Sequence, residues 1–276
     1  MGYEKLQMTK LCAWSLGIFF LSITPAYSQS ASPPSHFQRQ QLTSPEVSQE
    51  LVTADVVYLG ETHSSFKDHQ VQLEILKALY RQNGKIAIAM EMFQRPFQDV
   101  LEQYLAGKIT EAQLREQSEY KQRWGFPWTY YAPILRFAKA HQLPVVALNA
   151  PTEVTRKVAR QGLESLTSAE RRYIPPLSEI RTDNAAYRQM VWEVYQGHAH
   201  GNSGNFEQFF TAQVLWDETM ADRIAQFYAA NPQYQVVVLA GQGHIVCGYG
   251  IPNRVERRID HPSFVQRSVL LGATSQ

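Results

Sequence analysis

Two histidines follow the same kind of segment in this chain. His63 closes Val56-Val57-Tyr58-Leu59-Gly60-Glu61-Thr62-His63, and His244 closes Val237-Val238-Leu239-Ala240-Gly241-Gln242-Gly243-His244. Each segment is a short, β-branched apolar run ending in Gly-x-x-His. Such runs bounded by glycine read as buried strands of a mostly parallel sheet. Both imidazoles therefore fall just past the carboxyl ends of strands, where open α/β sheets bind their ligands. Two separate strand-to-loop turns are the alternative.

A third strand end carries Glu91, because Ile86-Ala87-Ile88-Ala89-Met90 runs straight into Glu91-Met92-Phe93. A carboxylate there needs a proton, a cation or a metal as partner; a salt bridge or a helix cap would satisfy it equally. Glu61 is a further carboxylate in that neighbourhood, facing either His63 or the N-terminus of the following helix. Residues Phe206, Phe210, Gln213, Asp217, Met220, Ile224 and Phe227 recur at helical spacing, which puts Gln213 and Asp217 on an inward face. Asp217 then orients a histidine or cation, or bonds the loop beneath it. The segment Trp124 to Pro133 is strongly aromatic, suited to filling a gap between lobes or gripping a planar ligand. His198 and His200 form a His-x-His pair in a Gly/Asn-rich loop, a weak metal signal. Cys247 reads as a small core residue.

Alternating strands and helices position these groups. Strands are read at Ala54 to Gly60, Ile86 to Met92, Pro144 to Leu148 and Val236 to Ala240, with an edge strand at Ser268 to Leu271. Ser65 and Asp68 open a helix as a capping box, and Asn83-Gly84 ends it. A helix holding Ile134, Leu135 and Ala138 leads into the third strand. The spacing predicts an α/β fold: a mostly parallel central sheet flanked by helices, with a helical lobe at about 165–230 covering the strand ends.

The N-terminus has the makings of a signal peptide. Lys5 and Lys10 precede an apolar run from Leu11 to Ile23, and Ala26-Tyr27-Ser28 offers a cleavage site. The expected organisation is a signal peptide at 1–28, a flexible Ser/Gln/Pro-rich leader at 29–50 and one α/β domain at 51–276. The mature chain is then exported, periplasmic or extracellular, and soluble, with no transmembrane segment. A lipid anchor is not expected, since Cys12 stands at the start of the apolar run. Cleavage leaves Cys247 as the single thiol, so no internal disulfide forms. Acidic and basic residues balance in the remainder, which gives no sign of nucleic acid as a partner. There is no nucleophile elbow, phosphate loop, dinucleotide fingerprint or His-Glu-x-x-His.

Gly60-Glu61-Thr62-His63, Glu91-Met92-Phe93, Trp128 to Pro133, Leu148-Asn149-Ala150-Pro151, Gln213 to Ala221 and Gly241-Gln242-Gly243-His244 together resemble the ChaN family of haem-binding uptake proteins. That family lies in a superfamily with Tiki, TraB and erythromycin-esterase-like proteins. The resemblance implies an α/β core, a role in haem or iron uptake outside the cytoplasm, and haem held by tyrosine as a face-to-face pair in a homodimer. Tyr130 and Tyr131 are the candidate ligands, with Tyr249 behind them and His63 and His244 nearby. Members are often lipoproteins, a pattern from which this chain departs. The wider superfamily implies an alternative, a metal-dependent hydrolase. In that reading His63, Glu91 and His244 bind a divalent ion such as Zn, Mn or Co, and Glu61 activates a water.

Overall fold

The computed structural model describes residues 47–198 and 205–272. The proposed signal peptide and nearly all of the leader lie outside them, as do His200 and the side chain of His198. The folded chain begins with a short helix, α1 (Gln49–Val52), whose Leu51 is buried.

Five strands form one all-parallel sheet: β1 (Val56–Glu61), β2 (Ile86–Gln94), β3 (Val145–Asn149), β4 (Gln235–Gly241) and β5 (Gln266–Leu270). Their spatial order is β3-β2-β4-β1-β5, which makes β5 an edge. Every residue of β1 to β4 is buried, as expected of strands covered on both faces. The pleat divides them. Val57, Leu59, Ile88, Met90, Val237 and Leu239 join one core cluster, whereas Val56, Tyr58, Ala89, Val236 and Val238 join another.

The first face is covered by α2 (Phe66–Asn83), α3 (Gln98–Leu105), α4 (Glu111–Gln117), α5 (Tyr120–Arg123) and α6 (Trp128–Ala140). The second is covered by α10 (Phe206–Ala230), through Met220, Ala221 and Ile224, and by α11 (Ile251–Glu256). Connections leaving β1 and β2 thus run over one face, and those leaving β3 and β4 over the other. Since β4 lies between β1 and β2, neighbouring strands send their chains apart at their carboxyl ends, opening a crevice there.

A third cluster is built from α7 (Thr152–Gln161), α9 (Ala185–His198), the first half of α10 and the connecting segments that carry Leu166, Ile174 and Ile180, beside the exposed turn α8 (Ser168–Arg171); Val154, Val158, Tyr187, Phe210 and Leu215 belong to it. This lobe begins at α7, earlier than the sequence period suggested. The α2 cap also differs from a reciprocal capping box. Ser65 Oγ accepts from the Asp68 N–H, but the Asp68 carboxylate takes the Thr62 N–H at 2.9 Å and the Ser65 hydroxyl at 2.7 Å.

Candidate functional site

The ends of β1, β2 and β4 bring Glu61, His63, Glu91 and His244 to one crevice. Glu61 is the last residue of β1 and lies wholly buried beneath His63. Its Oε1 is 2.8 Å from His63 Nδ1 and accepts the Tyr131 hydroxyl at 2.7 Å. Its Oε2 accepts from Gln72 at 2.7 Å and lies 3.2 Å from His69 Nδ1. Burial works against the charged carboxylate, but hydrogen bonds and charge from His63 and His69 outweigh it and pull Glu61 down to about 2. Burial likewise opposes the charged form of His69, and Glu61 more than offsets it, raising His69 above the ordinary range. Glu61 therefore braces one ring nitrogen of His63 and has no oxygen left to activate a water.

Glu91 sits at the end of β2 and accepts the Gly241 N–H at 2.7 Å. Its other oxygen is 3.4 Å from His244 Nε2, while His244 Nδ1 lies 2.7 Å from Asp217. Asp217 is fully buried on α10 and accepts the Tyr187 hydroxyl at 2.5 Å. The Gln213 amide lies 3.1 Å from the same His244 nitrogen and 3.3 Å from that hydroxyl. Burial would lower His244, but the charges of Glu91 and Asp217 prevail and push it up to about 10. Burial would raise Glu91, and the neighbouring histidines with the Gly241 amide lower it instead. The C-terminal half of α10 is fastened by Glu218, buried against Arg254, Arg257 and Arg258. That anchors the neighbouring Asp217 under His244.

Gly241 is glycine for a steric reason. A Cβ there would lie 2.8 Å from both Cε1 and Nε2 of His63 and 3.7 Å from Glu91, so the bare Cα lets the ring edge approach. The two groups converge on one spot.

Above them opens a cavity of about 380 Å³, a size typical of small-molecule and cofactor sites. His63, Glu91, Asn149, Gln213 and His244 line it together with the aromatic walls Trp124, Phe126, Phe209 and Trp216. Trp124 meets the His63 ring edge-on at 4.8 Å, and Phe126 lies 5.0 Å away. Lys121, Arg123 and Arg156 also line it, which gives the walls a cationic bias. Arg123 is held by Gln94, Glu119 and Glu153.

The structure does not bring the two candidate tyrosines into this cavity. Tyr131 is fully buried with its hydroxyl on Glu61, and burial followed by that carboxylate raises its ionisation well above the usual range. Tyr130 stacks on His69 at 5.0 Å, away from the cavity lining, and Tyr249 packs on the helical lobe. Among the described residues, no group of three or more His, Cys, Asp or Glu is spaced to hold a metal ion. Within the expected His63, Glu91 and His244 centre, His244 has both ring nitrogens engaged, one by Glu91 and one by Asp217. His69 and Gln72 were not anticipated. They share a stripe with Leu76 and Leu79 on α2, a signal that was present but reads as ordinary amphipathicity.

A family model described as haem-binding uptake, Tiki superfamily, ChaN matches residues 47–255, most of the chain. The chain belongs to the ChaN family. Among solved structures, the fold is similar to that of ChaN of Campylobacter jejuni, described with cofacial haem, at a TM-score of 0.60 and 19% identity over 82% of this chain and 85% of that one. An erythromycin esterase, EreC, is more distant, with a TM-score of 0.46 and 14% identity over 80% of this chain and 70% of that one. Protein RETICULATA-RELATED 5, chloroplastic, of Arabidopsis thaliana is 27% identical over 245 residues, 83% of this chain and 32% of that protein. The ChaN-type chain thus spans about a third of that relative's length. Among the described residues, no helix is long and apolar enough to cross a membrane.

Proposed function

We propose that this ChaN-family chain is an exported haem-binding protein that serves haem or iron uptake, and that haem enters the cavity over the β1, β2 and β4 ends. The family membership carries this reading. The lining supports it chemically: aromatic walls suit a flat macrocycle, Lys121, Arg123 and Arg156 suit its carboxylates, and His63 offers an imidazole braced from behind by Glu61. The placement of Tyr130 and Tyr131 outside the lining shifts iron ligation from the tyrosines toward His63. Haem-linked homodimerisation belongs to the same proposal.

The test is a haemin titration of residues 29–276 followed by visible absorbance and gel filtration. His63→Ala is expected to remove or shift the Soret change, while Tyr130→Phe/Tyr131→Phe keeps it. Loss in the tyrosine pair with retention in His63→Ala would refute the cavity site. Absence of any saturable Soret change in the wild type would refute haem binding itself.

A further inference from the structure

One amide in the cavity wall has its hydrogen bonding half finished. Asn149 is the last residue of β3, is buried and lines the cavity. Its Nδ2 donates to the Glu91 carbonyl at 3.1 Å. That carbonyl can only accept, so the amide cannot be turned over, and Oδ1 is the atom left with no hydrogen-bond partner among the described residues. A buried acceptor without a donor is costly, and a ligand O–H or N–H placed against it recovers that cost. The wall beside Asn149 is positive. The helix α7 begins at Thr152, and Ala150, Thr152, Thr155 and Arg156 of that turn line the cavity. The N-terminus of this ten-residue helix attracts negative charge. Gln94 ties Arg123 to the same turn, accepting from the guanidinium at 2.8 Å and donating to the Thr152 hydroxyl at 2.5 Å. Arg123 is paired with Glu119 and Glu153, so the cationic excess of the lining comes from Lys121 and Arg156. Trp124 and Phe126, 5.6 Å apart, add a flat apolar wall.

We propose that this cavity binds a flat aromatic acid bearing a ring hydroxyl, with the hydroxyl donating to Asn149 Oδ1, the ring set against Trp124 and Phe126, and the carboxylate held toward Lys121 and the start of α7. Each part of the lining selects one part of the ligand. The unsatisfied acceptor calls for a donor, which a plain aryl acid or an aryl ether lacks. The aromatic wall favours a ring over an aliphatic hydroxy acid, and the positive end favours a carboxylate over a neutral phenol. Haem answers two of these demands and not the third: its ring is flat and its carboxylates are ionised at neutral pH, so it brings no hydroxyl to Asn149. The hydroxyaryl acid is therefore a second ligand of the cavity, and its binding needs no haem. Asn149 is the residue that sets its specificity.

The experiment is isothermal titration calorimetry of residues 29–276, with EDTA present, against benzoate, 3-hydroxybenzoate, 4-hydroxybenzoate, 3-methoxybenzoate and phenol. At least one hydroxybenzoate is expected to bind roughly 10-fold tighter than benzoate, the scale of one buried acceptor gaining its donor. The methoxy acid should bind no tighter than benzoate, and phenol more weakly than the hydroxybenzoates. Asn149→Ala is expected to abolish the preference for the hydroxyl. Lys121→Glu is expected to weaken every acid and keep that preference. Melting curves identify a variant that fails to fold, and the ligand series on the wild type decides the question without either variant. No saturable binding of the hydroxybenzoates, affinities equal to those of benzoate or the methoxy acid, or an undiminished hydroxyl preference in folded Asn149→Ala would each overturn the proposal. A separate haemin titration keeps the two readings apart: haemin bound without any hydroxybenzoate sinks this proposal alone, and a hydroxybenzoate bound without haemin sinks only the haem reading.

Discussion

Glu61→Gln tests how the site is built. The substitution keeps the shape of the side chain and deletes its charge. Wild-type Glu61 is wholly buried and accepts from Tyr131 and Gln72 while holding His63 and His69. Its pKa of about 2, against an ordinary 4.5, corresponds to about 3 kcal/mol of stability at neutral pH. The sign is that of a depressed carboxylate. This share is fully present above pH 4.5 and is lost as pH falls through about 2. Removing one partner of a buried charged pair costs roughly 3–5 kcal/mol by mutational experience, so the two figures agree. In a chain of this size, that lowers the melting temperature by roughly 6–20 °C.

Calorimetry or circular dichroism at pH 7 measures it, with Tyr131→Phe as a control that removes one hydrogen bond worth about 1 kcal/mol. A Glu61→Gln cost below about 1 kcal/mol, or one no larger than the Tyr131→Phe cost, would show that the carboxylate is not the charged hub that the distances imply.

Three further outcomes are expected. Stability should fall between pH 6.5 and about 10, because the raised His244 contributes fully below 6.5 and is lost as pH rises through about 10; Asp217→Asn should lower stability at pH 7 and flatten that fall, as read by guanidinium melts. Gly250→Ala should give little soluble protein, since its Cβ would lie 2.1 Å from the His244 carbonyl oxygen, a backbone atom that cannot step aside. Gly241→Ala should fold but displace the His63 ring, visible as a weakened Soret change in the haemin titration.

The sheet was legible because its strands are buried on both faces, so each appears as an unbroken apolar run, and a polar residue ending such a run stands out. That is how His63, Glu91 and His244 were found from position alone. The short helices α3, α4, α5 and α7 were missed, since 4 to 10 residues give too few turns for a period. The aromatic segment is divided between two surroundings. A helix starts at Trp128, so Trp128, Tyr131, Leu135 and Ala138 form one inward stripe, while Trp124 and Phe126 precede the helix and reach the cavity. Neighbours in sequence were thereby sent to opposite purposes. His69 was hidden because only the passage of α2 beneath the end of β1 gives that polar residue a partner.

The tautomer of His63 ties these arguments together. Glu61 is ionised at any pH above about 2, so it only accepts hydrogen bonds. The contact of 2.8 Å with Nδ1 therefore requires the proton on Nδ1, and in the neutral ring this leaves a lone pair on Nε2, the nitrogen on the ring edge that meets Gly241. Free imidazole side chains favour the opposite tautomer, so the protein must impose this one. Nitrogen-15 NMR of the histidine rings at pH 8 is expected to show a protonated Nδ1 and a bare Nε2 for His63. In Glu61→Gln the Gln Oε1 can still accept, but without charge, and the opposite tautomer should become populated. A bare Nδ1 in the wild type would remove the lone pair from the cavity side, and the proposed iron ligation by His63 would fall with it.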